Sequence, residues 1–267
     1  MPHANNNGVR IYYDVEGHGP ALLLAHGLGS SGEDWRELGY VDQLKDRFQV
    51  IMVDARGHGS SNKPHDPLAY SPIERVNDSV AVLDDLGIEK ANYWGYSSGG
   101  VAGFCAAKYA PHRFSRLIIG GLDPYPRGHD FGDESAPPSK PMRGLPEASD
   151  PIRAVLDTGG EAWLHFWQSN MDVLPGMRDR LRQVDCQALV ALWEQPYPWR
   201  DEVLPLLGSF PFPCLLYVGE AEWNYVGMKV ASEEMPAARF VSLPEYGHFD
   251  IFAYSESIIP QARDFLI

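Results

Sequence analysis

Hydrophobic positions along this chain follow two rhythms. Short apolar runs, unbroken at residues 21–25 (Ala-Leu-Leu-Leu-Ala) and 214–218 and interrupted only near their starts at 48–53 and 114–119, have the length of buried strands. Residues 9–15 alternate in the manner of a half-buried strand, and residues 240–243 predict the last strand. Between the runs the spacing turns helical. Trp35, Leu38, Val41 and Leu44 share one face of a helix predicted over 34–45. Ser71-Pro72-Ile73-Glu74 reads as a capping box with proline at the first helical position. The helix it opens is expected to bury Ile73, Val76, Val80, Leu83 and Leu86 and to stop at Gly87. Residues 225–234 predict another helix, and a further one closes the chain.

Strands separated by single helices imply right-handed βαβ units. The predicted fold is therefore α/β, a mostly parallel, about eight-stranded twisted sheet flanked by helices. Such a sheet places its ligand outside the carboxyl ends of its strands. The loop His26-Gly27-Leu28-Gly29-Ser30-Ser31, the turn at Ser97 and Asp123 each follow a predicted strand, so all three fall on that rim. His58, in the turn Asp54-Ala55-Arg56-Gly57-His58-Gly59, reads as a structural histidine.

The alternation breaks near residue 124. Seven prolines occur from Pro124 to Pro151, with Gly128, Gly132 and Gly144 among them. Helical pieces are then predicted at 151–158, 161–169 and 179–194. Four of the seven tryptophans lie here: Trp163, Trp167, Trp193 and Trp199. The reading is a core of residues 1–123 and 201–267 with an inserted helical cap at 124–200. Trp163, Trp167 and Trp193 are expected to line a substrate pocket, while other aromatics glue the cap to the sheet.

Bulk properties narrow the partners. An apolar fraction of 44% supports a large core, and a formal net charge of -14 argues against nucleic acid and anionic membranes. The acids are spread along the chain and read as a solvated surface. Cys105, Cys186 and Cys214 form neither a disulfide framework nor a zinc motif. No apolar segment follows Met1, so the expectation is a cytoplasmic chain with no signal peptide and no membrane span, a monomer or homodimer acting on a small molecule.

Candidate chemistry centres on Gly95-Tyr96-Ser97-Ser98-Gly99, at a strand-to-helix turn. This spacing fits a nucleophile elbow: a turn too tight for side chains two residues either side of the serine, at a helix N-terminus that favours developing negative charge. An activated serine needs a base and a third group to orient that base. His248, in a glycine-containing loop after the last strand, meets the positional requirement for the base. Glu222, 26 residues upstream and just after the preceding strand, is the preferred acid. Asp123 is the runner-up, with Glu220 and Asp250 as further rivals.

These motifs together carry a resemblance. His26-Gly27-Leu28-Gly29, the Asp54–Gly59 turn, Gly95 to Gly99, Gly219-Glu220-Ala221-Glu222 and Gly247-His248-Phe249 resemble the α/β-hydrolase family, in its order, over nearly the whole chain. The resemblance implies Ser97 as nucleophile, His248 as general base and the backbone N–H groups of Leu28 and Ser98 as the oxyanion hole. It departs from the usual pattern in placing glutamate at the acid position. Ser98 is unusual beside the nucleophile and is expected to lend only its backbone. Relatives acting on epoxides or carbon–halogen bonds carry aspartate at the elbow, so Ser97 points instead to a cofactor-free serine hydrolase. A small or medium carboxylic ester is the first substrate class and no metal is expected. Lactone hydrolysis, carbon–carbon bond hydrolysis, perhydrolysis and a small-molecule receptor on the same fold stay open.

Overall fold

The apolar runs become strands of one sheet. A computed structural model describes residues 2–126, 128–131 and 139–267. Gly132, Pro137 and Pro138 of the proline-rich stretch lie outside the described residues. The strands are β1 (His3–Asn6), β2 (Val9–Glu16), β3 (Ala21–Ala25), β4 (Gln49–Val53), β5 (Ala91–Tyr96), β6 (Phe114–Gly120), β7 (Cys214–Gly219) and β8 (Ala238–Leu243). They form one sheet in the order β1-β2-β4-β3-β5-β6-β7-β8. β1 and β2 pair antiparallel, β2 runs antiparallel to β4, and every later pairing is parallel.

β3 pairs with β4 on one side and with β5 on the other. The chain therefore winds outward from β3 in both directions, which opens a crevice at the carboxyl ends of β3 and β5. The loop at His26 and the turn at Ser97 leave those two strands side by side. β1 was not expected. Its signal is Asn7-Gly8, a hairpin turn with φ of 50° and 89°, the left-handed angles that an Asn-Gly pair accommodates.

Side chains alternate across the sheet and build two apolar layers. Leu23, Ile51, Tyr93, Leu117, Ile119 and Leu216 face one side, where α3 (Pro72–Asp85), α4 (Ser98–Tyr109) and α10 (Tyr225–Glu234) cover them. Leu22, Leu24, Val50, Met52, Trp94 and Leu215 face the other, beneath α1 (Gly32–Glu37), α2 (Tyr40–Leu44), α11 (His248–Ala253) and α12 (Ile259–Leu266).

Several local expectations need correction. The single helix expected over 34–45 is two, α1 and α2, because Gly39 adopts a left-handed φ of 80° between them. Ile73 is 41% exposed, and Val76, Val82 and Leu83 carry the buried face of α3. Ser71 Oγ does accept from Glu74 N, but the Glu74 carboxylate turns to Asn6 and Arg56, so the capping box is half made.

Between β6 and β7 lie α5 (Pro151–Thr158), α6 (Gly160–Gln168), α7 (Pro175–Arg182), α8 (Cys186–Trp193) and α9 (Trp199–Val203). The helix expected over 179–194 is α7 and α8, split where Asp185 caps α8 by accepting from Ala188 N at 3.0 Å. These helices share a small apolar cluster of their own, including Leu156, Trp163, Phe166, Trp167 and Met177, against which Leu28 and Phe249 pack from the sheet's rim loops.

Candidate active site

β5 is buried at all six positions and delivers the chain into an abrupt turn. Ser97 sits there at φ 51°, ψ -120°, a strained conformation for a residue with a side chain. Packing enforces it. A Cβ on Gly95 would stand 2.6 Å from the Gly99 carbonyl oxygen, and one on Gly99 would collide with the Ala25 carbonyl of β3. Ser97 N donates to Gly120 O at 2.8 Å, and Ser97 O accepts from Gly100 N at 2.8 Å. Both ends of the turn are thus fastened. A Cβ on Gly27 would lie 3.3 Å from Ser97 Cβ, a tight contact, so the His26 loop passes close beside the serine.

Three loops meet at this serine. His248 Nε2 lies 3.1 Å from Ser97 Oγ, and His248 Nδ1 lies 2.8 Å from Glu222 Oε2. The Glu222 side chain is fully buried, and its other oxygen accepts from Gly219 N at 3.3 Å. His248 opens α11, whose first turn is fixed by Gly247 N donating to Asp250 Oδ2 at 2.8 Å. Tyr96 OH donates to the His248 carbonyl, and Trp223 stands with its ring centroid 4.8 Å from the imidazole.

The rival acids are occupied elsewhere. Asp123 Oδ1 accepts from Tyr125 N at 2.8 Å, and its side chain abuts Gly227, where a Cβ would come within 2.7 Å of Asp123 Cγ. Burial raises the Asp123 pKa above its ordinary value. Glu220 Oε1 accepts from Ser242 Oγ, and Asp250 serves the α11 turn. The arrangement brings Ser97, His248 and Glu222 into one chain of hydrogen bonds and leaves Asp123 outside it.

The loops flanking the serine are held by two histidines. His26 Nδ1 lies 2.8 Å from Gly27 O, and His26 Nε2 accepts from Ala55 N at 3.1 Å. His58 Nε2 accepts from Gly29 N at 2.9 Å, with Nδ1 3.0 Å from Arg56 O. Each ring uses Nε2 as an acceptor, which requires the neutral form with its proton on Nδ1. Burial lowers the pKa of both, that of His58 well below 6.5. His58 therefore ties the loop of Leu28 to the loop after β4. Among the described residues Leu28 N–H has no protein acceptor. Ser98 is the first residue of α4, where a backbone N–H has no intrahelical partner.

A cavity of about 880 Å³ opens above Ser97. Trp163, Trp167 and Trp193 all line it, as do Leu28, Ser98 and Asp123. Trp163 lies so close over Gly29 that any side chain there would strike the indole. The Nε1 groups of Trp163 and Trp167 are buried without an acceptor among the described residues, whereas Trp193 Nε1 donates to Asp150 Oδ2 at 2.7 Å. Trp199 lines the cavity and also stacks on Phe104 of α4.

Sequence reasoning missed two residues. Trp223 carried no pattern beyond standing next to Glu222. Arg75 lies on the wall beside Ser98, and its Nη2 donates to Ser98 O at 2.5 Å and to Ser98 Oγ at 3.0 Å. The expectation that Ser98 lends only its backbone is thereby corrected.

A family model for the alpha/beta hydrolase fold matches residues 20–185. The chain belongs to the alpha/beta hydrolase fold family. Among its relatives, a putative carbamate hydrolase RutD of Azorhizobium caulinodans is 34% identical over 119 residues, 45% of this chain and 43% of that protein. The chain thus matches less than half the length of that relative. A putative 2-succinyl-6-hydroxy-2,4-cyclohexadiene-1-carboxylate synthase of Bacillus subtilis is 25% identical over 271 residues, 91% of this chain and 89% of the relative. The crystal structure of the enol-lactonase from Burkholderia xenovorans LB400 superposes with a TM-score of 0.79 at 22% identity, covering 99% of each chain. That likeness is one of α/β-hydrolase fold. No helix among the described residues is long and apolar enough to cross a membrane.

Proposed function

We propose that this α/β-hydrolase-fold protein is a cofactor-free serine hydrolase that cleaves a small or medium carboxylic ester through an acyl-enzyme. The observation that carries the reading is the unbroken contact Ser97 Oγ to His248 Nε2 at 3.1 Å and His248 Nδ1 to Glu222 Oε2 at 2.8 Å. Ser97 Oγ attacks the ester carbonyl while His248 Nε2 takes its proton. Glu222 holds the imidazole in the tautomer that presents a free Nε2 and stabilises the imidazolium that forms. The tetrahedral oxyanion is met by the backbone N–H groups of Leu28 and Ser98, donors fixed in place before the reaction. His248 then protonates the departing alkoxide, leaving the acyl group on Ser97. Water attacks that acyl carbon, His248 takes the water proton, and its return to Ser97 Oγ releases the acid.

Residues 124–200 act as the cap in this reading, with Trp163, Trp167 and Trp193 shaping the acyl pocket. Hydrolysis of p-nitrophenyl acetate or butyrate is the test. Sustained turnover is expected, and Ser97→Ala should lower kcat by at least about 10⁴-fold, the scale at which a serine nucleophile acts with its base. A single slow turnover, or activity surviving in Ser97→Ala, would replace this reading with a receptor on the same fold. A panel of esters and lactones of graded size, with a carbon–carbon substrate alongside, separates the remaining substrate classes.

A further inference from the structure

Arg75 is a cation that the relay above does not use. It projects from α3 to the cavity wall, where its Nη2 is held by Ser98 O at 2.5 Å and Ser98 Oγ at 3.0 Å. Both partners are neutral oxygens. Among the described residues no carboxylate lies within 4.0 Å of it. The nearby acids are already engaged. Asp78, one turn along α3, holds Arg56 through both oxygens at 2.6 Å and also accepts from Asn6 at 2.9 Å. Glu74 is turned to Arg56 and Asn6. The other charged groups on the cavity wall have partners too: Asp150 accepts from Arg153 N and Trp193 Nε1, and Arg200 donates to Tyr125 O.

An arginine next to a helix N-terminus is a costly placement. The first N–H groups of α4 already concentrate positive potential there, and burial presses the Arg75 pKa below its ordinary value. A guanidinium kept in such a place, on the cavity wall with donors to spare, matches a ligand that brings its own negative charge. The chain's net charge of -14 would repel an anion at long range, so an anionic substrate needs a local cation of this kind.

We propose that Arg75 binds a carboxylate carried on the acyl part of the substrate, with Ser98 Oγ holding the guanidinium in position. The acyl part follows from the site's polarity. The leaving group must lie where His248 can protonate it, whereas Arg75 touches Ser98, on the side of the oxyanion donors. The inference rests on the reading of Ser97 as nucleophile and makes the substrate the monoester of a short dicarboxylic acid.

Monoethyl succinate and ethyl butyrate share a leaving group and a four-carbon acyl chain, and differ in whether that chain ends in a carboxylate or a methyl. Followed by pH-stat, the wild-type protein should favour the monoanion by at least about tenfold in kcat/KM, within the range of one charge-assisted contact. Arg75→Gln should collapse that ratio to below about 2, Arg75→Lys should restore part of it, and Ser98→Ala should leave it intermediate, through KM rather than kcat. Calorimetric binding to the Ser97→Ala protein reads the same contact without turnover. Monoethyl succinate should bind about tenfold more tightly than ethyl butyrate, and the added Arg75→Gln should equalise them. Equal binding or equal kcat/KM in the unmodified pocket overturns the proposal. So does an Arg75→Gln protein, folded by its melting temperature, that loses both esters in equal measure. Ethyl butyrate hydrolysis that survives Ser97→Ala would instead defeat the nucleophile assignment and leave the calorimetric result standing.

Discussion

The sheet and the helical segment between β6 and β7 are held together by different forces. The sheet buries apolar side chains on both faces, with Leu22, Leu23, Leu24, Ile51, Trp94, Ile118 and Ile119 essentially shut off from solvent. The helical segment has a smaller apolar cluster and depends on links to the core. Arg180 of α7 reaches the buried Asp34 at 2.5 Å and Glu37 at 2.9 Å. Asp185 meets His65 at 2.9 Å, and Lys140 meets Asp250 at 3.5 Å. Phe249, beside His248, stands edge-on to Phe166 and Trp167. The contrast separates two tasks. The densely packed rim fixes the relay, where a small displacement is expensive. The helical segment joins the core through these ion pairs together with the apolar contacts of Leu28, Phe249 and Trp199, and in the proposed reading it shapes what reaches the relay.

If the two tasks are separate, changes at the rim should strike turnover and changes at the links should strike binding or stability. After Ser97→Ala itself, the largest effect is expected from Glu222→Ala, which should lower kcat at least about a hundredfold while the protein stays folded by circular dichroism. Asp123→Ala should do far less, and the reverse ranking would transfer the acid role. Next is Gly29→Ala. It places a side chain at φ 71° against the Trp163 indole, so the loop must move and carry Leu28 N–H with it. Displacing one oxyanion donor costs up to about 3 kcal/mol, so kcat should fall by up to about a hundredfold with KM changed less.

Arg180→Ala tests the link instead. It removes the only ionic partner of Asp34 among the described residues, although Ser30 Oγ and Ser31 N still donate to that carboxylate. Stability should fall by about 1–3 kcal/mol in urea denaturation and KM should rise, with kcat kept within about threefold. A collapse of kcat here would show that relay and helical segment are one unit.

The smallest effect concerns pH. His26 and His58 have pKa values lowered by burial, so the unfolded chain binds protons that the folded chain refuses. Stability from these rings is present above the unfolded pKa of about 6.5 and drains away as pH falls through it. Melting temperature followed from pH 7.5 to 5.5 should decline, and less steeply in His58→Asn, whose amide oxygen can still accept from Gly29 N.

The sheet was legible because β3 and β7 read as unbroken apolar runs and β4 and β6 are interrupted only near their starts, at Gln49 and at Ser115-Arg116. Legibility dropped where one glycine or one cap decided the outcome. Gly39 in a left-handed turn divides α1 from α2, and Asp185 starts a new helix inside what the apolar spacing read as one. Ser97, His248 and Glu222 could be shortlisted because each follows a strand. Their distances could not, since those depend on three loops more than a hundred residues apart at their widest. Arg75 was invisible for a different reason. Its importance lies in the carboxylate it lacks, and a sequence does not reveal that Arg56 has taken both neighbouring acids.

Trp223 gives the molecule an optical property. Its indole is 48% exposed, yet lies 4.8 Å from the imidazole of His248. The difference in fluorescence between the wild-type protein and Trp223→Phe therefore isolates a single indole on the cavity wall beside the imidazole, and reads the arrival of a ligand there without a chromogenic ester.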